Sequence, residues 1–525
     1  MNGADVLVDR LFHHGVKTVF GMPGSHSTAI YDALVRHGQI RTILVRNEQA
    51  GAYMADGYAR ATGRPGVICT TAGPGATNAL SGIAEAWADS VPLLLLAGQV
   101  NHDRIHEECG NYHEIDLESI FAPCTKFRGT VMAHDQTVGL VDRAMVALST
   151  GRQRPAALFL PQDLMLQDVR DVMPISPTFP ELEIGYPEPE LRKAAQTLSQ
   201  CKRPIIIAGG GVVAAGAGLE IYRLAKKLDC PVVTTLNGKG LIDERDQYSL
   251  GHARSVRGRG ALDDADIMVA VGCRFTEVMT AFRTLKLPSR LIQIDIDKSQ
   301  IGMNYAAEIG LIADARVAAR ALADLLPDGR KSGWGNLWAQ ARSQAIEQPE
   351  WLIHTLRAEL PENALVYTDA CEMAYRMHTD FEAYRPRTFF YPSNYIALGW
   401  GFPAALGGAI AMPDQTVVSV SGDGGFLMTA QELATAARYQ LKVIAVIHND
   451  GAYGAIKNLQ MNRHGGRTVD TELNNPDFIR LADAFDVPAC RAHDPGSFAL
   501  ALRHAVNRRG PTVIEIPDHW RNLRV

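Results

Sequence analysis

SGDGGFLMTAQELATAARYQLKVIAVIHNDGAYGAIK, residues 421–457, decides the fold. An apolar run closes at Ser421, GDGG follows as a glycine turn, a helix is expected over Thr429–Arg438, and a second apolar run, Leu441–Ile447, leads into HND. Strand, helix and strand in that order make a parallel crossover, so both strands point their C-terminal ends at one edge of a sheet. Asp423 and the pair Asn449–Asp450 are then expected at that edge. Oxygen donors converging from two loops suit a hard divalent cation that also holds a phosphate. Gly422, Gly424 and Gly425 let main-chain N–H groups come close to phosphate oxygens, helped by the start of the next helix.

The same alternation fills the rest of the 525 residues, which are too many for one core and point to about three domains. Strands are expected near Thr18–Phe20, Thr42–Val45, Gly66–Thr70, Pro92–Ala97 and Ala156–Leu160 in a first domain, 1–166. A proline- and acid-rich stretch, Gln167–Glu190, reads as a linker. The second domain, 188–326, has strands at Pro204–Ala208, Pro231–Thr234, Ile267–Val271 and Leu291–Ile294; a polar, irregular stretch, Pro327–Glu350, separates it from a third, 351–525. That third domain adds strands at Leu365–Thr368, Thr416–Val420 and Thr512–Ile516 to the crossover. The fold class is α/β, with three consecutive doubly wound parallel-sheet domains. Glycines 209–211 follow a strand as in a dinucleotide site, but their spacing departs from GxGxxG.

Composition is that of a globular chain, 46% apolar and 21% charged, with a net charge of −5 and no dense Lys/Arg run. Nucleic acid and anionic membrane are therefore not expected partners. The N-terminus, MNGADVLVDRLFHHG, carries acidic residues inside a helical pattern and lacks an apolar signal core. With eight scattered cysteines and no CxxC, a cytoplasmic protein with reduced thiols is expected.

GDG closed by ND resembles the motif of thiamine-diphosphate-dependent enzymes, and the resemblance runs the length of the chain. It implies pyrimidine-binding, central and diphosphate-binding domains in that order, with thiamine diphosphate and Mg²⁺ as cofactors. It implies Asp423, Asp450 and the main-chain oxygen of Ala452 as metal ligands; a slip of one would give Asn449 and Gly451 instead. Gly422, Gly424, Gly425, Tyr453, Gly454 and Ala455 would flank the diphosphate. RNEQAGAYMADGYARATGRPGV at 46–67 resembles the segment of pyruvate-oxidase and acetolactate-synthase relatives that carries the catalytic glutamate, here Glu48. In such enzymes that carboxyl group shares a proton with N1′ of the cofactor's pyrimidine. TTAGPGATNALSGIAEAWADSVPLLLLAGQ at 70–99 puts Gly73, Pro74 and Asn78 near the cofactor, and FGMPGS at 20–25 makes Ser25 and His26 candidates to touch substrate. His113, in GNYHEID, stands where many relatives carry glutamine facing the reacting carbon. Leu398, in NYIALGWGF, stands where a large aliphatic residue holds the cofactor bent. TDACEMA at 368–374 matches a diphosphate-contacting loop in position, but Glu372 would add negative charge beside a phosphate.

Similarity is nearest the acetolactate synthase large subunit, through TTLNGKG at 234–240, DDADIMVAVGCRF at 263–275 and QIDID at 293–297. Three features depart from it. Thr276, Glu277 and Val278 replace two aspartates and an arginine; GHARSVRGRG at 251–260 replaces a Gly-Met-His-Gly flavin loop; and no tryptophan stands near Leu459. The expectation is a carboligase or decarboxylase acting on a 2-oxo acid, without FAD. A non-ligating decarboxylase of the benzoylformate type is the alternative enzyme, and a cofactor-binding regulatory subunit the alternative of another class. Because Glu48 and Asp423 lie on different domains, the resemblance implies a homodimer or homotetramer with paired sites.

Overall fold

The computed structural model describes residues 1–107, 110–169, 185–344 and 350–517. Three parallel α/β sheets of six strands each follow one another along the chain. The first holds β1 (Thr18–Gly21), β2 (Arg41–Leu44), β3 (Gly66–Thr70), β4 (Leu93–Gln99), β5 (Phe127–Thr130) and β6 (Ala156–Pro161), in the order β2-β1-β3-β4-β6-β5. The second holds β7 (Pro204–Ala208), β8 (Val232–Thr234), β9 (Ser249–His252), β10 (Ile267–Val271), β11 (Leu291–Asp295) and β12 (Ile309–Ile312), in the order β12-β11-β10-β7-β8-β9. In the third, β13 (Leu365–Thr368) pairs with β14 (Phe389–Phe390), and β15 (Val417–Gly422), β16 (Val443–Asn449), β18 (Thr512–Pro517) and β17 (Ala489–Arg491) pair in that order. Central strands are buried on both faces, which is why Leu93–Leu96 or Ile205–Ile207 read as unbroken apolar runs.

Two compact units divide the described residues. One takes in those of Met1–Pro180, Tyr395–Arg491 and Arg508–Asp518, the other those of Glu181–Asn394 and Ala492–Asn507. In the first unit the helix Glu48–Thr62 packs along the helix Gly401–Ala411 at backbone distance. A Cβ on Gly57 would stand 2.1 Å from the Ala404 carbonyl oxygen, and one on Gly407 1.9 Å from that of Met54. Gly407→Ala is therefore expected to destabilise the protein by about 1–3 kcal/mol through overpacking. Helix propensity alone would favour alanine there by nearly 1 kcal/mol, so a lowered midpoint of thermal unfolding would identify the crossing as the cause.

Beside this crossing Arg60 is buried among three carboxyl groups. Its guanidinium reaches Asp56 at 2.5 Å, Asp89 at 3.0 Å and Glu85 at 3.6 Å, and lies over the Trp400 ring. Trp400 Nε1 donates to Asp56 Oδ1 at 3.2 Å. Burial, with Asp89 adding like charge, pushes the Glu85 carboxyl well above its ordinary value despite Arg60.

In the second unit the glycines 209–211 have a packing explanation. A Cβ on Gly209 would lie 2.0 Å from the Gly272 oxygen, and one on Gly211 2.7 Å from the Gly272 Cα. The stretch 327–350 is less irregular than its polarity implies: Trp334 is buried, donates from Nε1 to the Pro204 oxygen at 2.7 Å, and starts a helix over Gly335–Ser343. Most of the expected linker, 167–190, lies outside the described residues, as does Cys109. None of the seven described cysteines is in a disulfide, and six are buried. No helix among the described residues is long and apolar enough to cross a membrane.

Candidate active site

β15 and β16 pair in register with Gly422 opposite His448, so Asp423 and Asp450 each leave the sheet directly after their strand. Asp423 is the first residue of a five-residue helix, Asp423–Leu427, where the sequence implies only a turn. Its carboxylate is 1% exposed. Oδ1 accepts from Gly424 N–H at 2.9 Å, and Oδ2 from Gly451 N–H at 2.9 Å and Asn475 Nδ2 at 2.6 Å. Burial pushes this carboxyl up, and the donors oppose the shift.

Asn475 Nδ2 also donates to Asn449 Oδ1 at 2.9 Å, and Asn449 Nδ2 donates to Glu515 Oε1 at 2.8 Å. The Asn449 amide is thus engaged at both ends. Asp450 Oδ1 accepts from Ala452 N–H at 3.2 Å, which folds the loop on itself. Residues 471–473 lie across this loop: Tyr453 N–H donates to Thr471 O and Leu473 N–H to Gly451 O, both at 2.8 Å. The Gly451 carbonyl is used there, whereas among the described residues nothing donates to the carbonyl of Ala452. Gly424 has to be glycine, because a Cβ would meet the Tyr453 ring at 2.5 Å. Tyr453 in turn precedes the helix Gly454–Arg463, which places Gly454 and Ala455 in its first turn.

A second cluster gathers on the first sheet. Glu48 opens the helix Glu48–Thr62, is 4% exposed, and follows Asn47, whose side chain caps the helix by accepting from Gln49 N–H. Asn78 Nδ2 donates to Glu48 Oε2 at 3.1 Å. A Cβ on Gly75 would come 3.1 Å from Glu48 Oε1 and 2.8 Å from the Thr71 methyl, so the glycine leaves Oε1 room. Thr71 also meets the residue that follows the FGMPGS loop: its Oγ1 accepts from His26 N–H at 3.4 Å.

Ser25, His26 and His113 lie together. Ser25 Oγ lies 3.2 Å from His26 Nδ1, and the His26 ring stands 5.5 Å from that of His113, which stacks on Tyr112 at 3.8 Å. Burial, with His113 adding to it, lowers the His26 pKa, so this imidazole is neutral near pH 7. His113 sits at φ +67° with its Nδ1 buried and unpartnered among the described residues. Gly73, at φ +54° just before Pro74, lets the His113 carbonyl approach: a Cβ there would lie 2.6 Å from it.

Leu398 occupies a loop held from both sides. Ala397 N–H donates to Glu85 Oε2 at 3.0 Å, and Thr429 Oγ1 donates to the Gly399 oxygen at 3.0 Å. A Cβ on Gly399 would be 2.9 Å from Met428 Cβ and 3.3 Å from the Gly425 oxygen, so Leu398 stands beside the Asp423 helix and is 38% exposed. TDACEMA belongs to the other unit, where Thr368 ends β13 and Glu372 starts a helix. The sequence pointed to none of Asn475, Glu85 and Glu432 as site residues. Asn475 lies outside every motif, whereas Glu85, within 70–99, and Glu432, within 421–457, look like ordinary helix acids.

Comparison with known proteins gives three consecutive matches. The description "Thiamine pyrophosphate enzyme, N-terminal TPP binding domain" matches residues 1–120, the central domain of the same family 191–322, and its C-terminal TPP binding domain 370–516. A "Probable acetolactate synthase large subunit" of Methanocaldococcus jannaschii is 34% identical, over 98% of this chain and 92% of its own. A "Probable 2-ketoarginine decarboxylase AruI" of Pseudomonas aeruginosa is also 34% identical, over 98% and 94%. The acetolactate synthase large subunit of Parasynechococcus marenigrum is 32% identical, over 98% and 87%.

Proposed function

Since the chain belongs to the thiamine pyrophosphate enzyme family, we propose that it is an acetolactate-synthase-like enzyme. It decarboxylates a 2-oxo acid and joins the remaining acyl unit to a second carbonyl compound. The observation that carries this reading is Glu48, a carboxylate buried at a helix start with one oxygen held by Asn78 and the other kept open by Gly75.

The residues present fit the cofactor. The carboxylates of Asp423 and Asp450 with the carbonyl of Ala452 make an all-oxygen donor set suited to Mg²⁺. The engagement of Asn449 by Glu515 and Asn475, and of the Gly451 carbonyl by Leu473, supports this register over the one shifted by a residue. Gly424 and Gly425, in the first turn after β15, would bring main-chain N–H groups to the diphosphate. Bound thiamine diphosphate supplies a thiazolium ring that takes up the electron pair released when a C–C bond next to a carbonyl breaks. Glu48 Oε1 would hold or release a proton toward the pyrimidine side of the bound group, while Asn78 holds Oε2. Neutral His26 and the unpartnered Nδ1 of His113 would hold or pass a proton on the substrate side. Leu398, 38% exposed beside the Asp423 helix, would pack against the bound group.

A second reading, simple 2-oxo acid decarboxylation with release of an aldehyde, is favoured by the ketoarginine decarboxylase relative and by Thr276, Glu277 and Val278. The test is incubation with Mg²⁺, thiamine diphosphate and a panel of 2-oxo acids, with and without an aldehyde or second 2-oxo acid as acceptor. CO₂ with an acyloin or hydroxy-oxo-acid product supports ligation; CO₂ with aldehyde alone selects the second reading. No CO₂ from any acid overturns both. The departures in the flavin loop support an enzyme without FAD, so the purified protein should lack flavin absorbance. Family resemblance also supports a homodimer or dimer of dimers in the cytoplasm; a monomer by light scattering with cofactor present would contradict the assembly.

A further inference from the structure

We propose that Glu432 is a positioning residue for Glu48, tying the turn before the catalytic carboxylate to the segment that opens with the metal ligand Asp423. The proposal rests on the reading of Glu48 given above. Glu432 is fully buried. Its Oε1 accepts two main-chain N–H groups, Arg46 at 2.9 Å and Asn47 at 3.1 Å, and Thr435 Oγ1 donates to its Oε2 at 2.6 Å. Thr435 Oγ1 also lies 3.4 Å from the Leu44 carbonyl, and Leu44 N–H donates to Tyr439 Oη at 2.9 Å. Three side chains from residues 432–439 therefore grip the turn 44–47 along its length. Asn47 caps the helix that Glu48 begins, so a displaced turn displaces the carboxylate.

Two adjacent N–H groups at the part-buried edge of this turn share one acceptor, and loss of Glu432 takes it from both. Val45 N–H still reaches the Gly21 oxygen at the end of β1, but β2 ends at Leu44, so the N–H groups of Arg46 and Asn47 take Glu432 as acceptor instead. The residue lies on the stretch that starts at Asp423 and Gly424, so movement of the metal loop and placement of Glu48 share a mechanical connection. Burial pushes the Glu432 carboxyl up to about 7, with Arg46 the one charged neighbour opposing the shift. A folded-state pKa raised above the ordinary carboxyl value means that stability is lost as pH rises from about 4.5 through about 7.

The experiment compares E432Q, E432D, E432A and E48Q in the full-length protein with Mg²⁺ and thiamine diphosphate. Glutamine keeps the acceptor oxygen, whereas aspartate withdraws it by one methylene. In E432Q, kcat and hydrogen-exchange protection of the peptide over residues 41–50 are expected to stay within about 3-fold of wild type, a span well below that of a lost acid–base group. In E432D and E432A, that peptide should exchange at least about 10-fold faster and kcat fall at least about 10-fold, with KM and cofactor affinity nearly unchanged. The midpoint of thermal unfolding of wild type, relative to E432Q, should fall between pH 5 and 8, following the raised carboxyl pKa. If E432A does not fold, E432D against E432Q decides. Wild-type kcat or unchanged exchange in E432D overturns the inference, as does a large kcat loss in E432Q. An active E48Q would instead overturn the reading of Glu48 itself, and the exchange measurement stands apart from either.

Discussion

Glu48→Gln is expected to lower kcat by about 10²–10⁴-fold, the range for a lost acid–base group, while the protein folds and binds cofactor nearly as before. The substitution keeps the length and polarity of the side chain, so an amide oxygen can still accept from Asn78 Nδ2 as Glu48 Oε2 does. The loss falls on Oε1, the oxygen that Gly75 leaves room for. An amide cannot exchange a proton with a ring nitrogen near neutral pH. Steady-state rates on any accepted 2-oxo acid, together with a cofactor titration followed by tryptophan fluorescence, separate the two effects. A variant with weakened cofactor binding and full turnover at saturation would show that Glu48 only packs the site.

Asp450→Ala is expected to weaken Mg²⁺-dependent binding of thiamine diphosphate by more than about 100-fold, since even second-shell changes at metal sites cost 10–100-fold. Asn449→Ala should behave differently. Its amide joins Asn475 to Glu515, so its loss leaves buried polar groups without partners and lowers stability by about 1–3 kcal/mol. Its effect on the Mg²⁺ dependence should be small. Titrating Mg²⁺ at fixed cofactor for both variants distinguishes them, and the opposite ranking would move the ligand set to Asn449 and Gly451. Asp450's own bond to Ala452 N–H is part of a turn that glycine and asparagine neighbours tolerate, so the folded loop should survive its removal.

Strands in the middle of each sheet were legible because both faces are buried and the residues follow one another without polar interruption. β7 and β10 match the expected residues, Pro204–Ala208 and Ile267–Val271, without a shift. The five strands that sequence patterning did not reveal, β5, β9, β12, β14 and β17, each lie at a sheet edge. All five are short, at two to four residues; Phe127–Thr130 has no fully buried residue and Ala489–Arg491 ends on an exposed arginine, whereas Phe389–Phe390 is buried but only two residues long. They therefore carry neither the apolar run of a buried strand nor enough length for alternation to register. The same contrast holds at the site. Asp423, Glu48 and the glycines are set by chemistry local to a motif. Asn475 and Glu432 act through contacts 52 and 386 residues away, which no local pattern encodes.

The tight crossing at Gly57 and Gly407 bears on how the chain is made. As synthesis proceeds, the first sheet can assemble once Pro161 has emerged, but the flank of Glu48–Thr62 that receives Gly407 stays bare until most of the polypeptide exists. Arg46 and Asn47 likewise wait for an acceptor 386 and 385 positions downstream. Contacts at such separations close late and slowly, and partly formed units with open apolar surface are prone to stick to one another. A nascent chain shorter than about 430 residues thus holds Glu48 in an unfinished setting, and the turn before it gains its acceptor only as the last fifth of the molecule is made.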